Sequence, residues 1–93
     1  MGMADLVEHR PERRRYELTE DGLTATADYR RADGALLITY VQSPPALRGK
    51  GTAGRLMAGM LDQVRAEGLK VTPICGYAAA WIRRHPDYQD LLA

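Results

Sequence analysis

The chain has 93 residues, 45% of them apolar and 27% charged, and a net charge of +1. That length fits one domain, and the near-neutral charge gives no reason to expect a nucleic-acid partner. No apolar run reaches the roughly 18 residues that a membrane-spanning helix needs. The single cysteine excludes an intramolecular disulfide and a multi-cysteine metal site. We therefore expect a small cytoplasmic domain that holds no metal.

The N-terminal part carries no hydrophobic period. We interpret residues 1–12 as a flexible lead-in and residues 13–93 as a single domain. Arg13, Arg14 and Arg15 form a basic run at the start of that domain. Two interpretations of the run stay open: a solvated strand edge, or a contact for an acidic partner or for a ligand phosphate.

Three antiparallel strands are predicted next. Apolar and polar residues alternate over 16–19 and over 23–30, and Asp21-Gly22 between them is a strong hairpin signal. A second Asp-Gly turn at 33–34 leads into the denser apolar run 35–41. Such a run is typical of a central strand with both faces covered.

The second half alternates helices and strands. Two prolines at 44–45 end the third strand, because proline cannot donate a ladder hydrogen bond. Helical spacing of apolar residues follows over 51–67, then a short strand over 69–75 and a second helix over 76–84. The short strand should lie parallel to residues 35–41 after a right-handed crossover. The fold class is thus α+β (α/β), an antiparallel β-meander followed by β-α-β-α with a mixed sheet.

A glycine-rich stretch joins the third strand to the first helix: Arg48-Gly49-Lys50-Gly51-Thr52-Ala53-Gly54. Glycine accepts positive φ and lets a ligand approach the backbone closely. A helix start presents free N–H groups and the positive end of the helix dipole. The two cations can add charge-assisted contacts. The stretch therefore predicts a phosphate-binding loop.

Two common phosphate-binding motifs fit this loop poorly. A P-loop needs four residues between its first glycine and Gly-Lys-Ser/Thr, whereas Lys50 is followed by Gly51 and no earlier glycine stands at that distance. The spacing of Gly49, Gly51 and Gly54 matches a dinucleotide fingerprint, but no carboxylate lies about 20 residues later. A solvated turn without a ligand also stays open.

The stretch from Pro44 to Leu92 resembles the small, stand-alone GNAT (GCN5-related) N-acetyltransferases. Arg48, Gly51 and Ala53 fill the defined positions of their acetyl-CoA pyrophosphate loop, Gln/Arg-x-x-Gly-x-Gly/Ala. Gly-Leu-Lys-Val, Pro-Ile-Cys-Gly-Tyr and Ile-Arg-Arg-His-Pro-Asp-Tyr extend the similarity. The resemblance implies a truncated GNAT-like fold that uses acetyl-CoA or coenzyme A.

The resemblance also implies where the cosubstrate binds. In GNAT-like folds the parallel strands on either side of the loop helix separate, and the pantetheine arm lies against exposed strand backbone in the gap. Here those strands are residues 35–41 and 69–75, and prolines disturb the end of each. The implied contacts are Val41, Arg48, Gly49, Lys50, Gly51, Thr52, Ala53 and Gly54.

The implied reaction is acetyl transfer from acetyl-CoA to an amine. Cys75 stands just before a helix start, where the dipole favours a thiolate, and it is a candidate nucleophile; a small buried apolar residue is the alternative. Tyr77 is a candidate acid for the departing thiolate, with ordinary packing as the alternative. Tyr40 stands where related sequences often have a histidine, which removes one candidate base.

The acceptor side is expected to be open. Larger GNAT enzymes wall it with helices between the first strands and with strands beyond the second helix, and this sequence shows neither. A shallow groove suits an amine on a protein or peptide, and a homodimer is one way to supply a missing wall. A module that binds acetyl-CoA without turnover is the alternative function.

Overall fold

In the computed structural model, which describes residues 6–93, five strands form one mixed sheet in sequence order. The strands are β1 (Glu8–Arg10), β2 (Arg15–Glu20), β3 (Leu23–Ala32), β4 (Ala35–Gln42) and β5 (Lys70–Pro73). The helices are α1 (Thr52–Ala66) and α2 (Gly76–Arg83), and the short 3-10 helices are Pro11–Arg13, Pro45–Leu47 and Pro86–Leu91. Strands β1 to β4 are antiparallel, and β5 lies parallel to β4. The predicted meander, crossover helix, parallel strand and second helix are confirmed.

Both predicted Asp-Gly turns are present. Asp21-Gly22 joins β2 to β3, Asp33-Gly34 joins β3 to β4, and φ is positive at all four residues. Two consecutive residues with positive φ form the turn whose twist matches that of paired antiparallel strands.

The sheet has one strand more than predicted. The three residues of β1 pair with Arg15–Glu17 of β2, so the interpretation of residues 1–12 as a lead-in is wrong where β1 lies. Val7 is buried, and its carbonyl oxygen accepts a 2.6 Å hydrogen bond from the side chain of Gln63 on α1. Three residues are too few to show a period of two, so the pattern could not reveal this strand. Residues 1–5 of the expected lead-in lie outside the described part.

The core lies on one face of the sheet. Buried residues alternate along the strands, and they form one cluster with apolar residues of both α1 and α2. On the opposite face of β4, Ala35 and Leu37 are only half-buried. The prediction that this strand is covered on both faces is therefore wrong, because in residues 6–93 both helices pack on the same side. The apolar run did not require burial on both faces, because half-exposed positions also tolerate apolar residues.

An aromatic cluster fixes β1 against the core. The ring of His9 stacks on that of Tyr16, with 4.2 Å between centroids, and its Nε2 lies 2.6 Å from the hydroxyl of Tyr29. Burial lowers the pKa of His9 and raises that of Tyr16. The cluster therefore favours the neutral forms of both side chains.

The described residues limit two further classes of site. Within residues 6–93, neither helix is long and apolar enough to cross a membrane. In the same part of the chain, no three His, Cys, Asp or Glu side chains are grouped as metal ligands would be.

Candidate functional site

The two parallel strands diverge at a defined point. Their pairing runs from Ala35 opposite Lys70 to Ile38 opposite Pro73 and stops there. The carbonyl oxygen of Ile38 then accepts two 2.9 Å hydrogen bonds, from the backbone N–H groups of Ile74 and Cys75. Proline lacks an N–H group and cannot extend the ladder. Strand β4 continues to Gln42 beside β3 alone, so the predicted divergence is confirmed.

A bulge in β4 accompanies the divergence. The register between β3 and β4 shifts between Asp28 and Tyr29, which leaves Thr39 as the extra residue. The Thr39 hydroxyl donates a 3.2 Å hydrogen bond to the carbonyl oxygen of Asp28. Bulges re-aim strand ends next to binding sites, and this one begins the segment of β4 that β5 leaves uncovered.

A groove of about 510 Å³ lies beside the uncovered end of β4. It is lined by Tyr40, Val41, Gln42, Ser43, Leu47, Arg48, Gly49, Gly51, Thr52, Ala53, Gly54 and Tyr77. Most of the expected contact residues are therefore brought together: the strand end, the glycine-rich loop and the start of α2. Its volume is within the usual range for small-molecule sites.

The glycine-rich loop presents unpaired backbone N–H groups to the groove. Gly49 and Gly51 both have φ of +81°, a conformation that a side chain disfavours. Gly51 caps α1 without any side-chain hydrogen bond, and the N–H of Arg55 is the first to find its helical acceptor, the carbonyl oxygen of Gly51. The N–H groups before it, at the first turn of α1, are left for a ligand.

The third glycine has a packing role as well. A Cβ atom built on Gly54 would lie 3.3 Å from Nε1 of Trp81, tighter than ordinary contact. Gly54 therefore lets α2 pack closely against the first turn of α1 while it also lines the groove.

A partly exposed ion pair fixes the loop from the opposite side. The guanidinium of Arg55 donates to both carboxylate oxygens of Glu20, at 2.8 and 2.7 Å, and Thr52 donates to the same carboxylate at 2.6 Å. Arg55 also donates to the carbonyl oxygen of Lys50 at 2.9 Å. Hydrogen bonds from Arg55 and then Thr52 lower the pKa of Glu20 to about 2. The β2–β3 hairpin thus holds the loop and the helix start as one unit, which we call the clamp.

The two cations of the loop differ in their surroundings. Arg48 lines the groove, is exposed, and makes no ion pair within residues 6–93. Lys50 lies 3.5 Å from a carboxylate oxygen of Asp21 and is not among the lining residues. Arg48 is therefore the cation placed to meet an anion in the groove.

Ser43 has a buried side-chain hydroxyl that makes no hydrogen bond within residues 6–93. The residue lines the groove. Buried polar atoms are nearly always hydrogen-bonded, so each exception calls for an explanation. Because Ser43 lines the groove, a ligand bound there is one explanation for its unbonded hydroxyl.

The two candidate catalytic residues, Tyr77 and Cys75, differ in their position relative to the groove. Tyr77, in the first turn of α2, lines the groove, and burial raises its pKa. Cys75 is the N-cap residue of α2, is half-buried, and is not among the residues that line the groove. Tyr40 lines the groove and is 54% exposed, so its ring is available at the rim.

Sequence patterns contain little sign of three residues in this site. Glu20 and Arg55 are 35 positions apart, and each fits an ordinary role, in a turn and on a polar helix face. No local pattern links them, so only the fold reveals the pair. Ser43 lies directly before two prolines that end a strand, and that position alone could have marked it as a candidate.

Comparison with known proteins identifies related sequences and folds. The sequence model of a family described as GCN5-related N-acetyl-transferase matches residues 15–91. The fold is similar to the NMR solution structure of a GCN5-like protein from Staphylococcus aureus, with a TM-score of 0.73 and 21% identity. That alignment covers 94% of this chain and 86% of the other, and at this identity it supports the fold alone. No curated protein matched the sequence.

We expect Glu20→Gln to loosen the glycine-rich loop, because an amide cannot replace a carboxylate that accepts from Arg55 and Thr52. Amide hydrogen exchange should become about tenfold faster at Lys50 and Arg55, whose N–H groups have backbone acceptors. In the wild type, the clamp should weaken as the pH falls from about 4.5 to about 2, since the folded-state pKa of Glu20 is lowered.

The matched control is Glu12→Gln, which removes an exposed carboxylate that makes no ion pair within the described residues. Its loop should exchange at the wild-type rate. Unchanged exchange in Glu20→Gln would show that the clamp does not hold the loop.

Proposed function

We propose that this chain, which belongs to the GCN5-related N-acetyltransferase family, transfers an acetyl group from acetyl-CoA to an amine. The observation that carries the proposal is the groove at the divergence of β4 and β5, which ends on the unpaired N–H groups of the glycine-rich loop. A long, thin molecule with a pyrophosphate at one end matches that combination. Family membership supports the same cosubstrate.

The residues present fit coenzyme A. N–H groups at Gly51 to Gly54 and the guanidinium of Arg48 would hold the pyrophosphate, since helix starts and arginine both favour phosphate. The backbone of β4 near Val41 would hold the pantetheine arm. Ser43 offers the buried hydroxyl that now lacks a partner. Bound there, acetyl-CoA supplies the acetyl group as a thioester.

Tyr77 is the proposed acid of a direct transfer, and its position in the groove lining supports that role. The acceptor amine attacks the thioester carbonyl carbon, a C–N bond forms, and the C–S bond breaks. Tyr77 gives its phenolic proton to the departing sulfur and regains a proton from the attacking nitrogen, so protons balance. A tyrosine is protonated at neutral pH, as an acid must be, and burial raises the pKa of Tyr77 further.

Cys75 defines a two-step alternative. In that route its thiolate displaces the CoA sulfur, the enzyme carries the acetyl group on Sγ, and the amine then attacks this second thioester. The groove lining includes Tyr77 and not Cys75, which favours the direct route. Cys75 also packs partly against the core, as free cysteines commonly do.

The acceptor is proposed to be an amine on a protein or peptide. In residues 6–93 no helix covers the second face of the sheet, and Tyr40 and Ile74 near the diverging strands are more than half exposed. Such a surface admits a bulky acceptor. A second copy of the chain as an added wall stays a prediction.

A binding module without turnover is the second candidate. Only Tyr40, Arg48 and Tyr77 carry ionisable side chains among the groove residues, and none is an evident base for an ammonium acceptor. Acetylation of a peptide library above the uncatalysed background would exclude this candidate.

We expect Gly51→Glu to abolish binding of acetyl-CoA. The substitution places a carboxylate among phosphate-binding N–H groups, strains a residue at φ of +81°, and brings Cβ within 3.0 Å of Nη1 of Arg55. Calorimetry should give micromolar affinity for the wild type and a loss of at least a hundredfold for the variant.

Gly68→Glu is the control, because Gly68 also has positive φ, +71°, with open space around it away from the groove. It makes the same charge change and should bind as the wild type does. Absence of binding by the wild type, or equal loss in both variants, would refute the assignment of the loop.

We expect Ser43→Ala to weaken binding and not to destabilise the fold. The variant removes an unpaired buried hydroxyl, so its melting temperature should stay the same or rise. Loss of one hydrogen bond to the ligand, worth about 0.5–1.5 kcal/mol, should weaken acetyl-CoA binding about three- to tenfold. Unchanged affinity would show that this hydroxyl does not contact the ligand.

Tyr77→Phe and Cys75→Ala separate the two routes of transfer. Under direct transfer, Tyr77→Phe should lower kcat about a hundredfold with little change in acetyl-CoA affinity, and Cys75→Ala should retain turnover. Mass spectrometry of the wild type with acetyl-CoA and no acceptor should then find no acetylated enzyme. An acetyl group on Cys75, together with loss of turnover in Cys75→Ala, would establish the two-step route instead.

A further inference from the structure

A second groove lies at the other end of the sheet. It has a volume of about 560 Å³ and is lined by Pro11, Arg14, Tyr29, Arg30 and Arg31; we call it the basic groove. The last two arginines stand opposite Leu37 and Leu36, near the start of β4. At about 3.3 Å per residue, Leu36 opposite Arg31 is roughly 13 Å along β4 from Tyr40, where the first groove begins.

The arginines of this groove have no acidic partner in the part of the chain that the structure describes. Arg14, Arg30 and Arg31 are exposed and make no ion pair within residues 6–93. Arg31 lies over the ring of Tyr29, with its guanidinium carbon 6.0 Å from the ring centroid. Three arginines without an ion pair in residues 6–93 therefore border one cavity, Arg30 and Arg31 from opposite faces of β3.

The neighbouring arginines are paired. Arg10 and Arg13 contact Glu17, and Arg15 contacts Glu17 and Asp28. The carboxylates next to the basic run are thus already occupied. Of the three arginines at 13–15, Arg14 alone makes no ion pair within residues 6–93.

Arg14 adopts a conformation that its side chain disfavours. Its φ is 53° and its ψ is 50°, in the left-handed region. The backbone holds it there, because its N–H donates to the carbonyl oxygen of Pro11 at 3.1 Å and its carbonyl oxygen accepts from Tyr29 at 2.9 Å. Glycine would fit this position better. Strained residues of this kind often belong to functional sites.

We propose that the basic groove binds an acidic segment of a partner protein through carboxylate side chains. Guanidinium groups match carboxylates with two parallel hydrogen bonds, and three of them can receive successive acidic residues. A cavity of this size exceeds what a single oxyanion needs. The ligand is therefore a peptide segment with several carboxylates.

The charge distribution favours a peptide over a nucleic acid. Glu12, Asp28 and Asp33 are close in sequence to the three arginines, and the whole chain carries a net charge of +1. A nucleic-acid backbone needs an extended positive stripe, and the acidic neighbours interrupt any such stripe here. A short acidic segment needs only the local cluster.

Fluorescence anisotropy of a labelled oligoglutamate peptide tests the proposal. The full chain should bind the peptide at low ionic strength, and binding should weaken as salt rises. Arg14→Gly/Arg30→Gln should bind at least tenfold more weakly. The Arg14→Gly substitution should not lower the melting temperature, because glycine suits the left-handed backbone at position 14.

The control is Arg83→Gln/Arg84→Gln, which removes the same charge from two exposed arginines at the end of α2. It should bind the peptide as the wild type does, and saturating acetyl-CoA should not displace the peptide. Equal weakening in the two double variants, displacement by acetyl-CoA, or no peptide binding at all would overturn the proposal. Tighter binding of a single-stranded oligonucleotide than of the peptide, lost in Arg14→Gly/Arg30→Gln, would overturn the choice of a peptide.

Discussion

The end of pairing between β4 and β5 is the constraint on which the candidate site depends. Pro73 cannot donate a ladder hydrogen bond, and the carbonyl oxygen of Ile38 instead accepts from the two residues after it. That arrangement turns the chain away from β4 and starts α2 at Gly76. The backbone of β4 beyond Ile38 is left with one strand partner, and the groove occupies the space that a continued β5 would fill.

The glycine-rich loop and the start of α1 are held in place in the free protein. Arg55, Thr52 and Glu20 satisfy one another at 2.6 to 2.8 Å, and they hold the helix start without using its free N–H groups. The buried hydroxyl of Ser43, which has no hydrogen-bond partner among residues 6–93, is an energetic cost in the free protein. Groups left unsatisfied in a rigid frame are characteristic of binding sites, because a ligand then gains contacts without reorganising the protein.

The sequence predicted most of the fold and one half of the site. Period and turn chemistry located β2 to β5 and both helices, and the glycine-rich stretch lies in the groove as expected. Local patterns could not reveal three-residue β1, nor that both helices share one face, since these depend on packing between distant segments. The pairing of Glu20 with Arg55 has the same origin. The basic run at 13–15 looked uniform, and only its neighbours in space separate Arg14 from the arginines beside it.

A titration of the isotope-labelled protein with acetyl-CoA, followed by NMR, tests the central claim most directly. The account predicts that the largest amide shift changes lie at Gly49 to Gly54 and at Val41 to Ser43, at the end of β4 and the start of α1. Arg14, Arg30 and Arg31 should not shift. No shift changes at saturating acetyl-CoA, or changes centred on the basic groove, would contradict it.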